Sequence, residues 1–159
     1  MIFVAVGTQK FPFNRLLETI DKLLEDGKIK EEVFAQTGNS TYKPRHYRYQ
    51  AFLGKDEFQN YIDGCTLIVT HSGVATIMES LKKDKPIIVM PRLAKYGEHV
   101  DDHQVQIADS FRDLNFIYEC GEGDDLAKLI EESRLHRFDK YVSQRTKMIA
   151  EIRDFLDRA

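Results

Sequence analysis

One glycine-bearing segment, residues 70–79, carries side chains and backbone groups that can hold a phosphate. It lies between two apolar runs at residues 67–69 and 86–91, which predicts the order strand, turn, helix, strand at the carboxyl edge of a parallel sheet. Such edges bind ligands in open α/β sheets. Ser72 is predicted to cap the helix, and Gly73 lets a ligand approach the backbone. The free N–H groups of the first helical turn attract an anion, typically a phosphate.

Glu79 lies two turns into this predicted helix. Its carboxylate accepts hydrogen bonds only, which suits a pair of sugar hydroxyls. A phosphate at the helix start and a ribose at Glu79 together indicate a nucleotide site. Two simpler interpretations remain open: the segment is a well-capped helix start, or Glu79 pairs with Lys82 or Lys83 on an exposed face. A nucleophile elbow fits poorly, because it needs glycines where Thr70 and Val74 stand.

Apolar strand-like runs alternate with amphipathic helices along the chain. This alternation predicts one α/β domain over residues 1–159, Rossmann-like, with a mostly parallel sheet and helices on both faces. Strands are predicted at residues 2–6, 32–37, 50–53, 66–70, 86–90 and 116–119. Helices are predicted at about residues 13–25, 56–62, 74–83, 99–112, 124–132 and 138–156.

A second bend, Gly7-Thr8 after the first strand, is predicted to lie at the same sheet edge as Ser72-Gly73. Two such bends can grip a diphosphate from both sides. The first bend is not a Walker loop, and it lacks the Gly-x-Gly-x-x-Gly pattern of dinucleotide sites.

Composition excludes several classes. With 42% hydrophobic and 31% charged residues, the chain is a globular domain rather than a disordered segment. Its net charge of −3 argues against general nucleic-acid binding. No apolar run is long enough to span a bilayer, and residues 1–6 lack the basic start of a signal peptide. Cys65 and Cys120 are isolated, so we expect buried, reduced thiols in a cytoplasmic protein.

Three separated motifs, taken in order, resemble known glycosyltransferases. Residues 6–13 resemble the opening of the small bacterial exopolysaccharide transferase subunits of the PssE type. Those subunits are related to the catalytic subunit of the eukaryotic two-chain, dolichol-linked GlcNAc transferase. Residues 71–79 and 98–104 are similar to the C-terminal half of MurG-type transferases, the glycosyltransferase family 28 C-terminal domain.

This resemblance implies the donor-binding half of a GT-B fold, in which two Rossmann-like halves close over a cleft. The chain has length for one half only, so the acceptor half is expected on another polypeptide. In two-chain members that partner is membrane-associated and recruits the soluble subunit to a lipid-linked acceptor at the inner face of the membrane. The implied substrate is a UDP-sugar, with no cofactor and no metal.

By resemblance, the helix start contacts the diphosphate and the proximal ribose through Ser72, Gly73, Val74 and Thr76. Gly7 and Thr8, predicted at the same sheet edge, are expected to lie opposite them across the diphosphate. Glu79 matches the glutamate that accepts from both ribose hydroxyls.

The remaining implied contacts concern the base and the transferred sugar. Phe52 and Leu53 match an aromatic-aliphatic pair beside the uracil, and Gln104 matches a glutamine that holds sugar hydroxyls. His103 stands where MurG-type enzymes have another glutamine. His71 replaces an arginine, so its help with the diphosphate would depend on its protonation.

The implied reaction is inverting transfer of a hexosyl group to a polyprenyl-diphosphate saccharide in surface polysaccharide synthesis. No residue of this chain is assigned as the general base, which the partner is expected to supply. One rival is a non-enzymatic UDP-sugar-binding regulatory subunit. A second rival is a metal-dependent hydrolase that uses His99 and His103, four residues apart on a predicted helix. The zincin pattern fails there, because it needs glutamate where Val100 stands.

Two further segments have open interpretations. Residues 42–49 interleave basic and aromatic side chains, which indicates either a solvated loop or a contact with the partner or an anionic membrane. The last predicted helix has an apolar face that either packs on the domain or docks on the missing partner. A homodimer in isolation is also possible, because a surface built for a partner is often apolar.

Overall fold

Six parallel strands form one sheet in the computed structural model, which describes residues 1–142 and 145–158. The strands are β1 (Ile2–Ala5), β2 (Val33–Gln36), β3 (Arg48–Gln50), β4 (Leu67–Thr70), β5 (Ile87–Val89) and β6 (Tyr118–Glu119). Their order across the sheet is β3-β2-β1-β4-β5-β6, and every neighbouring pair is parallel. This order reverses between β1 and β4, the position at which Rossmann-like sheets open a ligand crevice.

Helices connect the strands and cover the sheet. They are α1 (Asn14–Glu25), α2 (Lys55–Gly64), α3 (Val74–Lys82), α4 (His103–Asp113), α5 (Leu126–Leu135) and α6 (Arg145–Arg158), with a 3₁₀ turn at Ala94–Tyr96. The predicted Rossmann-like α/β fold is confirmed.

The central strands read as continuous apolar runs because both of their faces are buried. Ile2 and Val4 of β1 face one side, where they join a cluster formed with α1 and α5. Phe3 and Ala5 face the other side, where they pack near Ile62 of α2. Apolar residues of α3 and α4 cover β5 on that same side. The core therefore lies in two layers, and the carboxyl ends of the strands are left as an open rim.

The third strand is displaced from its predicted position. It runs over Arg48–Gln50 rather than residues 50–53. The side chain of Gln50 donates from Nε2 to the carbonyl of Phe52 at 2.9 Å, which turns the chain away from the sheet. Gly54 then caps α2. Phe52 and Leu53 therefore belong to a connection at the rim and not to a strand.

The predicted helix at residues 99–112 begins later, at His103. The preceding residues are held in a compact loop by side-chain bonds to the backbone. Asp102 Oδ1 accepts from the Ala94 N–H at 2.9 Å, and Asp101 Oδ1 accepts from the His103 N–H at 3.0 Å. Asp102 is the N-cap of α4. His99 consequently lies outside the helix that contains His103.

The final helix also begins later than predicted, at Arg145 instead of residue 138, and it ends at Arg158. Residues 138–142 are not helical, and residues 143 and 144 lie outside the described part of the chain. The apolar side chains of Ile149, Ile152, Phe155 and Leu156 are exposed. They do not pack on the domain in this structure.

A membrane-spanning helix would need a long apolar stretch. Within residues 1–142 and 145–158, no helix has the length and hydropathy to cross a bilayer.

Candidate functional site

The two predicted bends meet at the rim where the strand order reverses. Ala5 and Thr70 are register partners at the ends of β1 and β4, so the residues that follow them emerge side by side. The Thr70 hydroxyl donates to the Ala5 carbonyl at 2.7 Å and ties the two strand ends together. Gly7 has a positive φ of +81°, and both Gly7 and Gly73 lie against His71. Both bends therefore face one site.

His71 fills the space between the two bends. A Cβ added to Gly7 would lie 2.5 Å from His71 Nε2, and a Cβ added to Gly73 would lie at the same distance. No other residue type fits at either position without moving the ring. The two glycines are thus required by the imidazole that they enclose.

Gln104 holds this imidazole from behind. Its Oε1 accepts from the backbone N–H groups of Ser72 at 3.2 Å and Arg92 at 3.0 Å. Its Nε2 lies 3.0 Å from His71 Nδ1. Gln104 is buried, and these contacts use its amide within the protein. The predicted contact of Gln104 with sugar hydroxyls stays a prediction.

Burial lowers the pKa of His71 to about 3, and the nearby charge of Arg92 acts in the same direction. The imidazole is therefore neutral in the folded protein at ordinary pH. Any contribution of His71 to an anion site within the physiological range is therefore that of a neutral ring.

This neutral, buried histidine makes part of the stability depend on pH. A histidine in an unfolded chain has a pKa of about 6.5, whereas the pKa of His71 falls to about 3 on folding. Between these values the unfolded state binds more protons, so stability decreases as the pH falls.

We expect the free energy of unfolding to lose up to ~1.4 kcal/mol per pH unit from this group. His71→Gln should remove that part of the slope. Urea unfolding of both proteins at several pH values between about 4 and 7 measures it; equal slopes would contradict the assignment.

Arg92 is a buried cation that sequence reasoning missed. Its guanidinium donates to the backbone carbonyls of Phe11 at 2.8 Å, Glu98 at 3.1 Å and Val6. It also lies over the ring of Phe13, 5.0 Å from the centroid. Burial lowers the pKa of Arg92 to about 10, against the opposing charge of Glu98. Arg92 therefore ties the first bend to the loop after β5.

Glu98 has a structural partner within the fold. Its carboxylate accepts hydrogen bonds from Arg15 Nε at 3.0 Å and Arg15 Nη2 at 2.9 Å. It also accepts from the Leu93 N–H at 2.9 Å. Glu98 is buried. Its role here is to join α1 to the loop after β5.

A cleft of about 400 Å³ opens at this rim. Its walls come from both bends, the first turn of α3 and one face of α2: Gly7, Thr8, Gln9, Gln36, Leu53, Lys55, Phe58, Gln59, His71, Gly73, Val74, Ala75 and Thr76. Among the predicted ligand residues, those outside this lining are Phe52, Ser72, Glu79, His103 and Gln104. Sequence reasoning missed Gln36, Lys55, Phe58 and Gln59, although Lys55 directly follows a glycine at a helix start.

The start of α3 points at this cleft with a free first turn. Gly73 is the N-cap and offers no side chain to the helix. The prediction that Ser72 caps α3 is wrong, because Ser72 is buried with its N–H on Gln104 and its Oγ has no partner within the described residues. The N–H groups of Val74, Ala75 and Thr76 are therefore available to an anion.

Glu79 lies one turn beyond this helix start. Its Oε2 accepts from Gln59 Nε2 at 3.1 Å, which connects it to a residue that lines the cleft. Its Oε1 lies 3.5 Å from Lys82 Nζ, whereas Lys83 pairs with Asp63 at 3.0 Å. Glu79 therefore makes the exposed pair with Lys82 and also lies beside the cleft.

Phe52 and Leu53 have different surroundings in the structure. Leu53 packs against the buried cluster that contains Phe3 and Ile62, and it lines the cleft. Phe52 is 48% exposed. An aromatic face is therefore free at this end of the cleft, next to the aliphatic residue that the sequence paired with it.

The two candidate metal ligands do not share a helix face. His103 is exposed, with Nδ1 3.3 Å from Gln106 Oε1, and His99 Nδ1 lies 3.2 Å from Asp101 Oδ1. Among residues 1–142 and 145–158, no three His, Cys, Asp or Glu side chains are grouped closely enough to hold a metal ion.

The basic-aromatic segment is anchored to α1 by one buried carboxylate. Asp21 accepts from the Tyr42 hydroxyl at 2.6 Å, from the Arg45 and His46 N–H groups at 2.8 Å each, and contacts His46 Nδ1 at 2.9 Å. Burial raises the pKa of Asp21, but these four bonds outweigh it and lower the pKa overall. These contacts favour a fixed loop.

Comparison with known proteins places this geometry in a family. The model of the glycosyltransferase family 28 C-terminal domain matches residues 1–158. The chain belongs to this family. A curated relative, the UDP-N-acetylglucosamine transferase subunit ALG13 of Saccharomyces cerevisiae, is 36% identical over 58 residues, covering 36% of this chain and 27% of the relative. The chain thus spans about a quarter of that relative's length.

Solved structures agree with the fold of this family 28 domain. MurG of Acinetobacter baumannii superposes with a TM-score of 0.57 at 16% identity, covering 94% of this chain and 48% of MurG. The NMR solution structure of ALG13 superposes with a TM-score of 0.50 at 20% identity, covering 87% of this chain and 86% of that one. The fold is that of one half of a GT-B glycosyltransferase.

Proposed function

We propose that this family 28 domain is the donor-binding and catalytic subunit of a two-chain inverting glycosyltransferase. It moves a hexosyl group from a UDP-sugar to a polyprenyl-diphosphate-linked saccharide in surface polysaccharide synthesis. The observation that carries the proposal is the cleft in which two glycine bends, a neutral histidine and the free start of α3 converge.

The cleft suits a diphosphate by its charge distribution. The first turn of α3 presents N–H groups and the positive end of the helix dipole. Lys55 adds a positive charge to the lining of the cleft. When the bond to the sugar breaks, negative charge builds on UDP, and these groups are already oriented to stabilise it. Uracil then lies towards Phe52 and Leu53, and the ribose lies at Glu79.

The acceptor and the general base belong to a second polypeptide in this proposal. The curated relative is itself named a transferase subunit. The exposed apolar side chains of α6, Ile149, Ile152, Phe155 and Leu156, supply a surface that a second chain can cover. We propose that this partner is membrane-associated and recruits the domain to the inner face of the membrane. Without it, a homodimer is the alternative occupant of the same surface.

Glu79→Ala is expected to weaken UDP binding by roughly 1.5–3 kcal/mol, the range for a hydrogen bond to a charged group. The loss should be smaller for 2′-deoxy-UDP, which lacks one of the hydroxyls that Glu79 would hold. Isothermal titration with both ligands measures it. Lys82→Ala is the matched control, since it removes the neighbouring charge and leaves the carboxylate in place. Unchanged UDP affinity in Glu79→Ala would refute the ribose assignment.

A transfer assay tests the activity itself. The chain is incubated with a panel of UDP-sugars and a lipid-linked saccharide acceptor, alone and together with the product of any adjacent reading frame. We expect transfer of one sugar only when both chains are present. UDP binding with no transfer in the presence of the partner would instead support a regulatory UDP-sugar-binding subunit.

A further inference from the structure

The orientation of the Gln104 amide is fixed by the backbone around it. Two N–H donors, of Ser72 and Arg92, point at one end of the amide, so that end must be the oxygen. A flipped amide would place its NH₂ group against two other donors. The NH₂ end therefore faces His71, with Nε2 at 3.0 Å from Nδ1.

This orientation determines the protonation state of the imidazole. An amide NH₂ can only donate, so His71 Nδ1 must accept and carries no proton. In a neutral ring the proton then resides on Nε2. The low pKa of His71, about 3, agrees with a ring that stays neutral. His71 thus has one N–H, and its position is set by Gln104.

That N–H lies at the narrowest point between the bends. Nε2 is the ring atom closest to the Cβ positions of both Gly7 and Gly73, and His71 lines the cleft. An anion in the cleft beside the two bends would meet an N–H donor and no competing lone pair. The side chain of Gln104 is buried behind the ring and is absent from the cleft lining.

We propose that Gln104 is a positioning residue that holds His71 as a neutral Nε2–H donor to the diphosphate, and that it does not contact the transferred sugar. This inference rests on the proposed function, because the anion is taken to be the diphosphate of the donor. It departs from the resemblance, which assigns Gln104 to sugar hydroxyls. His71 is the ligand residue, and Gln104 acts through it.

The protonation state can be read in the free protein. In a long-range ¹H–¹⁵N correlation spectrum, we expect His71 to show a protonated Nε2 and an unprotonated Nδ1 at neutral pH. In Gln104→Glu, one carboxylate oxygen replaces the NH₂ group that faces His71, and the other oxygen still accepts from the two backbone donors. Nδ1 must then carry a proton. A proton on Nδ1 in the unmodified protein would overturn the inference.

Affinity measurements test the consequence for the phosphate. At alkaline pH, where the ring stays neutral, Gln104→Glu is expected to weaken UDP binding by about 10-fold to 100-fold. Uridine binding should not change, because uridine has no phosphate. In the His71→Ala background the same substitution should have no further effect on UDP. Gln106→Glu is the matched control, as it sits on the same helix beside His103 and outside the cleft.

The outcomes separate this inference from the proposed function. If the unmodified chain binds UDP but Gln104→Glu changes UDP and uridine affinity equally, or acts fully without His71, the positioning role is wrong and the proposed function stands. If the Gln104→Glu effect appears only for a UDP-sugar and not for UDP, Gln104 is a sugar contact. If the unmodified chain binds no UDP, the proposed function fails, and the phosphate contact fails with it.

Discussion

Replacing Arg92 with methionine is expected to lower the free energy of unfolding by about 3–5 kcal/mol. The guanidinium is buried and donates to the carbonyls of Val6, Phe11 and Glu98. Methionine fills a similar volume but leaves those buried acceptors without their donor. It also removes the cation from the face of Phe13. Urea unfolding at neutral pH measures the loss.

Arg48→Met is the matched control for this substitution. Arg48 pairs with Glu32 at 2.8 Å on an exposed edge strand, with side-chain exposures of 79% and 59%. An exposed pair of this kind contributes at most about 1 kcal/mol. Equal losses in Arg92→Met and Arg48→Met would contradict the buried network around the first bend.

Gly73→Ala is expected to reduce UDP affinity by about 10-fold to 100-fold, the equivalent of losing one charge-assisted hydrogen bond. The new Cβ would lie 2.5 Å from His71 Nε2, so the ring must move out of the gap between the bends. Gly73 has a φ of −76°, which alanine adopts without strain. The effect is therefore steric, and isothermal titration with UDP measures it.

Two comparisons separate this steric effect from general damage. In the His71→Ala background the clash is absent, so Gly73→Ala should cost little further affinity or stability. Gly64→Ala is the control elsewhere, because an added Cβ at the end of α2 meets nothing within 4 Å. Gly7→Ala should lower the free energy of unfolding more than Gly73→Ala does, because the φ of +81° at Gly7 adds about 1–2 kcal/mol of backbone strain. Full UDP affinity in Gly73→Ala would contradict the packing of His71.

Most of the fold could be predicted from local patterns in the sequence. The apolar runs of β1, β4 and β5 predicted buried parallel strands because the signal lies within each run. The predicted ends of strands and helices were wrong where a single side chain redirects the backbone. Gln50 ends β3 early, and Asp102 delays the start of α4. Neither bond is visible in hydrophobic periodicity.

The candidate site was predictable only in its backbone. Glycines at two strand ends indicated bends that now lie together, since register between β1 and β4 brings them to one rim. The side chains behind the bends were not predictable, because their partners are distant in sequence: Gln104 contacts His71 across 33 positions, and Arg92 contacts Phe11 across 81. A motif can reveal a ligand residue, but the residue that orients it emerges only from tertiary packing.

A crystal structure of the chain grown with UDP tests the central claim most directly. It should show the diphosphate between the Gly7 and Gly73 bends, with phosphate oxygens at hydrogen-bond distance from His71 Nε2 and from the N–H groups of Val74 and Thr76. Density for the nucleotide away from this cleft, or a diphosphate that bypasses both bends, would contradict it.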